Sequence, residues 1–343
     1  MIQEENSTLF DTIITDEKVI CPALEKNREL PVYDFAFGSS PDYVCRIGVT
    51  IASILENNPD LHLRFNIFIR EISKNDLEKL TILSDAGGCQ IILYFVDDMP
   101  FTPMLHGDKQ ASIFYRFLFA PTLAKKGSSR IFSIDGDVLC NGSISSLLSV
   151  DFNGKIAAAV RDTSEEYADY RRSLVGTKQY FNSGMIMIDT AAWNDNKISE
   201  KCWDLAIERR KSGKHLRSHD QDILNILLNN DILLLPPKYN YIYNLDMKSF
   251  FQKQSPIHFD KSAVFIHYAG VVKPWRTWIQ DLYGVKLYRN AWLASPWKDV
   301  PLTGFTRHKD IHQAARHARR MHNYKEMLSL YMKYLFTKLG VSK

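Results

Sequence analysis

The chain has 343 residues, of which 45% are hydrophobic and 24% charged, with a formal net charge of +4. These values are close to those of globular proteins and allow a sizeable core. No run approaches the roughly 18 apolar residues of a spanning helix, and no basic start precedes an apolar run, so neither a membrane span nor a secretory signal is expected. The five cysteines are widely spaced without a C-x-x-C pair, which favours reduced thiols over a disulfide framework.

The amino-terminal half alternates strand and helix patterns. Residues 1–30 are polar and lack a clear period, which indicates an outer arm or a short helix. Strands are predicted at 32–37, 63–69 and 90–96, and helices at 43–56 and 73–86. Ser73 is the expected cap of the second helix and Gly87-Gly88 its stop. This alternation predicts a largely parallel sheet with helices on both faces.

The second half continues with a helix at 111–126 that Pro121 breaks or restarts, and a helix at 194–212. Further strands are predicted at 130–134, 155–160 and 184–188. Residues 308–338 predict one or two amphipathic helices. Their apolar stripe consists of Ile311, Ala315, Ala318, Met321, Tyr324, Leu328, Tyr331 and Leu335. The chain therefore divides into an arm (1–30), a main α/β domain (31–300) and a basic helical tail (301–343).

Two carboxylates, Asp135 and Asp137, flank Gly136 directly after the predicted strand 130–134. Ligands of open α/β sheets bind at the carboxyl ends of strands, and a glycine lets the backbone turn so that both acids face one cleft. Mg²⁺ and Mn²⁺ prefer carboxylates together with phosphate oxygens. A divalent cation site is one interpretation of this D-x-D spacing, and an ordinary turn, which the spacing taken alone favours, is the other.

A second polar group follows the strand-like residues 264–266. Its sequence is His267-Tyr268-Ala269-Gly270-Val271-Val272-Lys273-Pro274-Trp275. The imidazole of His267 can complete a metal shell, Gly270 lets backbone amides approach a phosphate, and Lys273 brings a positive charge to a diphosphate. A structural histidine, a turn glycine and a surface lysine are the alternative, which the clustering of these residue types disfavours.

Two further segments offer polar side chains to a sugar. The first, 180–184, reads Y-F-N-S-G and enters a predicted strand, and the second, 218–222, reads S-H-D-Q-D and enters an apolar run. Asn182 is alternatively a turn residue, and Ser218 or Asp220 alternatively caps the following helix. Each segment alone leaves both interpretations open.

Taken together and in chain order, these four segments resemble retaining glycosyltransferase family eight, from about residue 32 to residue 298 and into the basic tail. The branch that the chain resembles is that of the bacterial lipopolysaccharide core hexosyltransferases, which add α-linked glucose or galactose. The resemblance implies an α/β, GT-A-like single nucleotide-sugar-binding domain with a mostly parallel central sheet and a basic helical extension. It also implies transfer of a hexose from UDP-galactose or UDP-glucose to the growing lipopolysaccharide core, with retention of configuration.

The resemblance also implies the site residues, position by position. The metal ligands for Mn²⁺ or Mg²⁺ are expected to be Asp135, Asp137 and His267. The other donor-binding residues are expected to be Phe37, Gly38, Ser40, Asp42, Tyr43, Arg116, Gly136, Asn182, Gly184, Asp220, Gln221, Gly270 and Lys273. Family members often have an aspartate near Ser40 that contacts the base or ribose, and Asp42 is the expected substitute here.

Gln221 and Asp220 are the expected catalytic residues. A double displacement needs a nucleophile beneath the anomeric carbon, and the amide of Gln221, the family's residue near that position, is a poor nucleophile. Front-face departure and attack is therefore favoured, with the diphosphate taking the acceptor proton, and Asp220 is the rival participant. A cation and Lys273 are expected to stabilise the charge that develops on the leaving diphosphate.

Three alternatives are weighed against this function. A transferase of the same family could act on a different glycan or on a protein. A glycosidase is disfavoured because Asp135 and Asp137 are too close in sequence to separate into an acid and a base at the roughly 5–10 Å that such enzymes use. A non-enzymatic binder of anionic surfaces rests on the tail alone, and no nucleic-acid-binding motif accompanies its charge.

The tail carries nine lysines and arginines against two acids, Asp310 and Glu326, beside the apolar stripe. Such a combination indicates reversible contact with anionic lipid. With the resemblance, it predicts a cytoplasmic enzyme that is peripheral on the cytosolic face of the bacterial inner membrane. The expected partners are a UDP-hexose, the lipopolysaccharide core and this membrane surface, but no nucleic acid.

Overall fold

A computed structural model describes residues 9–105, 110–163, 168–176, 179–214, 216–245, 259–279 and 282–339. The strands are β1 (Ile14–Ile20), β2 (Val32–Ser39), β3 (His62–Ile69), β4 (Gln90–Val96), β5 (Arg130–Ile134), β6 (Val138–Cys140), β7 (Ala157–Arg161), β8 (Phe181–Asp189), β9 (Ile232–Leu235), β10 (Tyr241–Ile242) and β11 (Phe265–His267). The α-helices are α1 (Leu9–Ile13), α2 (Val44–Asn57), α3 (Lys74–Gly87), α4 (Phe119–Ala124), α5 (Ser145–Leu148), α6 (Ala168–Val175), α7 (Thr190–Asp195), α8 (Ile198–Lys211), α9 (His219–Leu228), α10 (Tyr283–Ala294), α11 (His308–Arg320) and α12 (Tyr324–Lys338). Short 3-10 helices span Pro41–Tyr43, Met99–Met104, Ala111–Leu118 and Pro237–Asn240.

The main sheet has eight strands in the order β1-β4-β3-β2-β5-β8-β7-β9. Strands β4, β3, β2 and β5 are parallel, β7 and β9 are parallel, and β8 runs antiparallel to its neighbours β5 and β7. The predicted mostly parallel central sheet is confirmed. Because β5 and β7 point the same way, the residues after both strands lie at one edge of the sheet.

The predicted limits of helix α3 are confirmed in detail. The side chain of Ser73 accepts a hydrogen bond of 3.0 Å from the Asp76 N–H, which is otherwise unpaired in the first turn. Gly88 ends the helix in the left-handed conformation with φ +61°, which a residue without Cβ adopts at little cost. The five cysteines are free thiols, as expected.

Three segments differ from the sequence patterns. The presumed arm contributes β1, an edge strand that pairs antiparallel with β4. The predicted helix 111–126 is a 3-10 helix followed by α4, and Pro121 lies in the first turn of α4, where its missing N–H costs nothing. The predicted helix 194–212 is split between α7 and α8, because Lys197 has a φ of +53°.

A second, three-stranded sheet joins β10 and β11, from the carboxyl-terminal half of the chain, to β6, which follows the D-x-D segment Asp135-Gly136-Asp137. Its order is β10-β11-β6, with β6 antiparallel to β11. Val138, the first residue after the D-x-D, pairs with His267 in this sheet. The pairing places two motifs that are about 130 residues apart beside each other.

Helices α11 and α12 pack together at the carboxyl end. The apolar side of α11 is buried, with Ile311, Ala315 and Ala318 at most 4% exposed. On α12, Leu328 is 62% exposed and Leu335 48% exposed. The predicted apolar stripe is therefore two surfaces, one buried and one open. No helix among the described residues has the length and apolar character needed to cross a membrane.

Candidate active site

The D-x-D segment lies where the two sheets meet. The Asp135 N–H donates to the Gly184 carbonyl at 2.9 Å, and the Tyr268 N–H donates to the Asp137 carbonyl at 3.0 Å. A Cβ at Gly136 would come within 2.9 Å of Ile47 and 3.0 Å of Tyr43. Glycine is therefore needed here for the close packing of α2 against the segment.

Asp135, Asp137 and His267 form a cluster of metal-ligand type. Each offers one ligand atom, and these atoms lie within 4.8 Å of one another. His267 Nε2 is 3.4 Å from Asp137 Oδ1, while Nδ1 lies 3.0 Å from Asn182 Oδ1 and 3.2 Å from Asn240 Oδ1. Both amide oxygens are acceptors, so Nδ1 carries the proton and Nε2 presents its lone pair to the carboxylates. This orientation by outer partners is the one that metal-binding histidines use.

Gly184 supports the same histidine from below. A Cβ at this position would lie 2.2 Å from Cε1 of His267, so the imidazole rests on the bare glycine backbone. The Gly184 N–H in turn donates to Asn182 Oδ1 at 2.9 Å. The final glycine of Y-F-N-S-G is thus required by His267, which lies 83 residues further along the chain.

Two cationic side chains neutralise the carboxylates. Arg116 donates through Nη2 to Asp135 at 2.6 Å and through Nη1 to the Ser183 carbonyl at 2.8 Å. Its Nε is 2.7 Å from Asp220 Oδ2, an ion pair without hydrogen-bond alignment. Lys273 donates to Asp137 and, at 2.8 Å, to the Tyr268 carbonyl.

The carboxylates differ in acidity because their surroundings differ. Burial raises the pKa of Asp137, but the charge of Lys273 and contact with His267 outweigh burial and bring this pKa well below its usual range. Burial raises the pKa of Asp220 to about 6, and the charge of Asp135 adds to the rise while Arg116 opposes it. Asp137 is therefore firmly ionised, as a metal ligand must be.

A cleft of about 420 Å³ opens over these groups. The expected site residues that line it are Gly38, Ser40, Tyr43, Arg116, Asp135, Gly136, Asp137 and Asp220. Phe37 does not border it, because successive residues of β2 face opposite sides of the sheet and Phe37 is fully buried in the core. Asp42 is exposed outside the cleft and accepts a hydrogen bond from Ser40 Oγ at 2.6 Å.

Asn182 and Gln221 lie behind the cleft wall in a hydrogen-bonded network. Gln221 Oε1 accepts from the Ser183 N–H at 2.9 Å, and its Nε2 donates to the Tyr180 hydroxyl at 3.2 Å. Asp162 Oδ2 accepts from Gln221 at 3.4 Å and from Asn182 at 3.3 Å. Both amides are at most 9% exposed, so their orientation is set by protein partners.

The loop after β11 completes the site. Gly270 has a φ of +94°, a left-handed conformation that favours glycine, and its backbone lies close to the side chain of Asn244. The resulting turn returns the chain so that Lys273 reaches Asp137. His267, Gly270 and Lys273 stand beside the cleft and are not among the residues lining it.

Sequence reasoning missed Asp162 and Asn240. Asp162 directly follows β7, which runs parallel to β5, so it lies at the same edge of the sheet as Asp135. A carboxylate immediately after a predicted strand was the available signal. Asn240 had no such signal, because its contact with His267 depends on the packing of β10 against β11.

The fold places the chain among the GT-A-like proteins. The crystal structure of galactosyltransferase LgtC in complex with donor and acceptor sugar analogues superposes with a TM-score of 0.63 at 20% identity, covering 76% of this chain and 96% of that one. This similarity confirms the GT-A-like fold, and the cation site with its charged cleft is compatible with a transferase of that class.

The family follows from the sequence models. "Glycosyl transferase family 8" matches residues 34–279 and "Glycosyl transferase family 8 C-terminal" matches residues 284–338. The chain belongs to glycosyltransferase family 8, as the motifs predicted. The junction between the two models lies near residue 280, ahead of the expected boundary at residue 300.

Two relatives show how far the similarity extends. The chain is 35% identical to the lipopolysaccharide 1,2-glucosyltransferase of Escherichia coli K12, covering 77% of this chain and 78% of the relative. It is 29% identical to the lipopolysaccharide 1,3-galactosyltransferase of Salmonella typhimurium, covering 94% of this chain and 98% of the relative.

Proposed function

We propose that this chain transfers glucose or galactose from a UDP-sugar to the growing lipopolysaccharide core, with retention of configuration. The observation that carries this proposal is the convergence of Asp135, Asp137 and His267 beside a cleft that Arg116 lines, with Lys273 adding positive charge through its contact with Asp137. The names of the two relatives support the acceptor class, because both act on lipopolysaccharide. A glycosidase is not supported, since family 8 consists of transferases.

In this proposal Asp135, Asp137 and His267 hold Mn²⁺ or Mg²⁺. The donor set of two carboxylates and one imidazole suits either ion, and the protonated Nδ1 leaves His267 Nε2 available as the third ligand. When bound, the cation neutralises charge on the diphosphate of the donor. Lys273, Gly270 and the backbone of Gly136 contact that diphosphate, and Lys273 stabilises the negative charge that grows as the glycosidic bond breaks.

The sugar end of the donor lies toward Arg116 and Asp220. Both residues line the cleft and form an ion pair with each other at 2.7 Å, which places opposite charges at this end of the cleft. Gln221 is held by Ser183, Tyr180 and Asp162. We assign it the position beneath the anomeric carbon, where its amide orients the sugar and does not form a covalent bond.

Front-face attack follows from this assignment. Within the described residues that line the cleft, Asp135, Asp137 and Asp220 supply the carboxylates, and each already faces a cation. No free nucleophile is thereby provided for a double displacement. The acceptor hydroxyl therefore attacks on the side from which the diphosphate leaves, and an oxygen of the diphosphate takes its proton. Asp220 remains the candidate for a role in a stepwise alternative.

The test is incubation with a panel of UDP-sugars, a lipopolysaccharide acceptor and Mn²⁺ or Mg²⁺, scoring UDP release and the linkage formed. UDP-glucose or UDP-galactose should support transfer and give an α-linked product. Chelation with EDTA should abolish the transfer, and added Mn²⁺ should restore it. Full activity after exhaustive chelation, or a β-linked product, contradicts the proposal.

We also propose that α12 attaches the enzyme to the cytosolic face of the bacterial inner membrane. Its exposed apolar residues are Tyr324, Leu328, Met332, Leu335 and Phe336, each at least 46% exposed. Lys325, Lys333 and Lys338 lie on the same helix. Apolar contact with the headgroup region and attraction to anionic lipid then act together, with each lysine near the surface contributing about 1 kcal/mol.

A further inference from the structure

A small basic cleft takes no part in the function proposed so far. It lies next to the cleft of about 420 Å³ that Asp135 and Asp137 line, which we call the donor cleft. It has a volume of about 50 Å³ and lies between the end of α8, the start of α9 and the 3-10 helix of residues 111–118. Its rim carries the basic side chains of Arg209, Arg210 and Lys214 together with His219, and Met104 and Phe114 contribute to its apolar floor. The described residues that line it include no aspartate or glutamate.

The basic charge is concentrated in one short segment. Residues 209–219 contain Arg209, Arg210, Lys211, Lys214 and Arg217 and no acid. Basic residues at the end of α8 complement the helix dipole, but Lys214 lies beyond the helix. Within the described chain, no carboxylate lies within 4.0 Å of the side-chain nitrogens of Arg209, Arg210 or Lys214.

Arg210 is held in place without using its whole guanidinium. Its Nε donates to the Leu105 carbonyl at 2.9 Å, which ties the side chain to the residue that follows the 3-10 helix Met99–Met104. The two terminal nitrogens remain for a ligand. A planar guanidinium fixed in this way is suited to a phosphate group, because it can donate two parallel hydrogen bonds.

The two clefts share walls. Asp220 lines the donor cleft and His219 lines the basic cleft, and consecutive Cα atoms are about 3.8 Å apart. On the 3-10 helix of residues 111–118, Ile113 likewise lines the donor cleft and Phe114 lines the basic cleft. The clefts are therefore adjacent, separated by a wall that is one residue thick at α9 and at the 3-10 helix.

We propose that Arg210 and Lys214, with Arg209, bind a phosphate ester carried by the acceptor saccharide. This inference rests on the proposed function. The groups assigned to the donor diphosphate, Lys273 among them, do not line the basic cleft, so the cleft offers a second anion site. Its place beside the donor sugar, and not on α12, favours the acceptor over a lipid headgroup as the source of the phosphate.

The experiment removes positive charge from the protein and phosphate from the acceptor, separately and together. The double variant Arg210→Gln/Lys214→Gln and the control Lys74→Gln/Lys201→Gln, which removes two exposed lysines elsewhere, lose equal charge. Each is assayed with an acceptor lipopolysaccharide before and after its phosphate esters are removed by cold aqueous hydrogen fluoride. Circular dichroism and the KM for the UDP-sugar report whether the fold and donor site are intact.

For the wild-type and control proteins, removal of the phosphate esters should raise the KM for the acceptor about tenfold, as expected for the loss of one charge-assisted contact. The double variant should have an acceptor KM about tenfold higher than the wild type on the intact acceptor, and dephosphorylation should not raise it further. The inference is overturned if the variant has the same increase in acceptor KM over the wild type on both acceptors. It is also overturned if the variant and the wild type have the same KM on the intact acceptor. Reduced binding of the variant to anionic vesicles, with acceptor KM unchanged, assigns the cleft to lipid and also overturns it. Wild-type protein that transfers no hexose to either acceptor refutes the proposed function itself.

Discussion

The donor cleft and the outer face of α12 depart from ordinary globular packing in opposite ways. The cleft buries charge: Asp137 and Lys273 have side chains that are 12% and 17% exposed. Helix α12 exposes apolar surface: Leu328 and Tyr324 are 62% and 58% exposed. Both arrangements cost free energy in the isolated protein. In the function proposed above, each cost belongs to a surface that meets a ligand, a charged one at the cleft and an apolar one at α12.

The largest expected effect is loss of catalysis at the buried charges. Asp137→Ala should lower the rate of hexose transfer by about 1000-fold, because a metal ligand is removed and Lys273 loses its partner. The rate is measured with saturating UDP-sugar and Mn²⁺. Asp60→Ala, which removes an exposed carboxylate elsewhere, should leave the rate unchanged. A folded Asp137→Ala protein with normal activity contradicts the assignment of the site.

A smaller effect should follow from moving His267 without removing it. In Gly184→Ala the new methyl group meets His267 Cε1 at 2.2 Å, so the imidazole must shift away from Asp137. Displaced metal ligands and their supports cost about 10–100-fold in metal affinity. The Mn²⁺ concentration that gives half-maximal activity should rise by that factor.

The matched control is Gly142→Ala, where the nearest atom would be 3.9 Å away and no strain arises. Its Mn²⁺ dependence should equal that of the wild type. If both glycine variants behave alike, the contact with His267 has no part in binding the metal.

The exposed apolar residues of α12 are expected to contribute to membrane binding. Leu328→Ser, Leu335→Ser and Phe336→Ser together should weaken partition onto anionic phospholipid vesicles at least tenfold, because each apolar side chain contributes on the order of 1 kcal/mol on partial burial. Co-sedimentation measures the partition, and transfer to a soluble acceptor should not change. Ile82→Ser, at a residue that is 57% exposed on α3, is the control. Equal binding by the triple variant refutes α12 as the attachment surface.

The smallest expected effect concerns the buried side of the same helix pair. His317 on α11 is 3% exposed beside Trp278, and burial followed by the charge of Arg320 lowers its pKa to about 4. The unfolded chain binds a proton near pH 6.5 that the folded chain does not, so stability falls as pH decreases from 6.5 towards 4. Between pH 7 and 5.5 this group should cost about 1 kcal/mol.

Urea unfolding of the wild type and His317→Phe at both pH values measures this contribution. The variant should lose less stability than the wild type on acidification. An identical pH dependence shows that His317 does not carry the acid sensitivity of the α11–α12 pair.

The meeting of the residues of the candidate site was partly predictable, because several of them follow strands. Asp135 and Asp137 stand after β5, and parallel strands bring such positions to one edge. The placement of Asn182 and Gln221 behind the wall was not predictable from their motifs, because it depends on Asp162 and Tyr180, which reach them through tertiary packing. The same limit applies to Phe37, whose side of β2 is decided by the sheet.

The sequence by itself determined the alternation of strands and helices, the caps of α3, the order of the four motifs and, through them, the family. These features depend on local periodicity and on contiguous residues. Only the tertiary structure decided which side chains meet. It seats His267 on Gly184, pairs Lys273 with Asp137, adds β1 to the sheet and separates the stripe of α11 and α12 into a buried and an exposed face. Contacts between residues tens of positions apart depend on how elements pack, and no local pattern encodes that geometry.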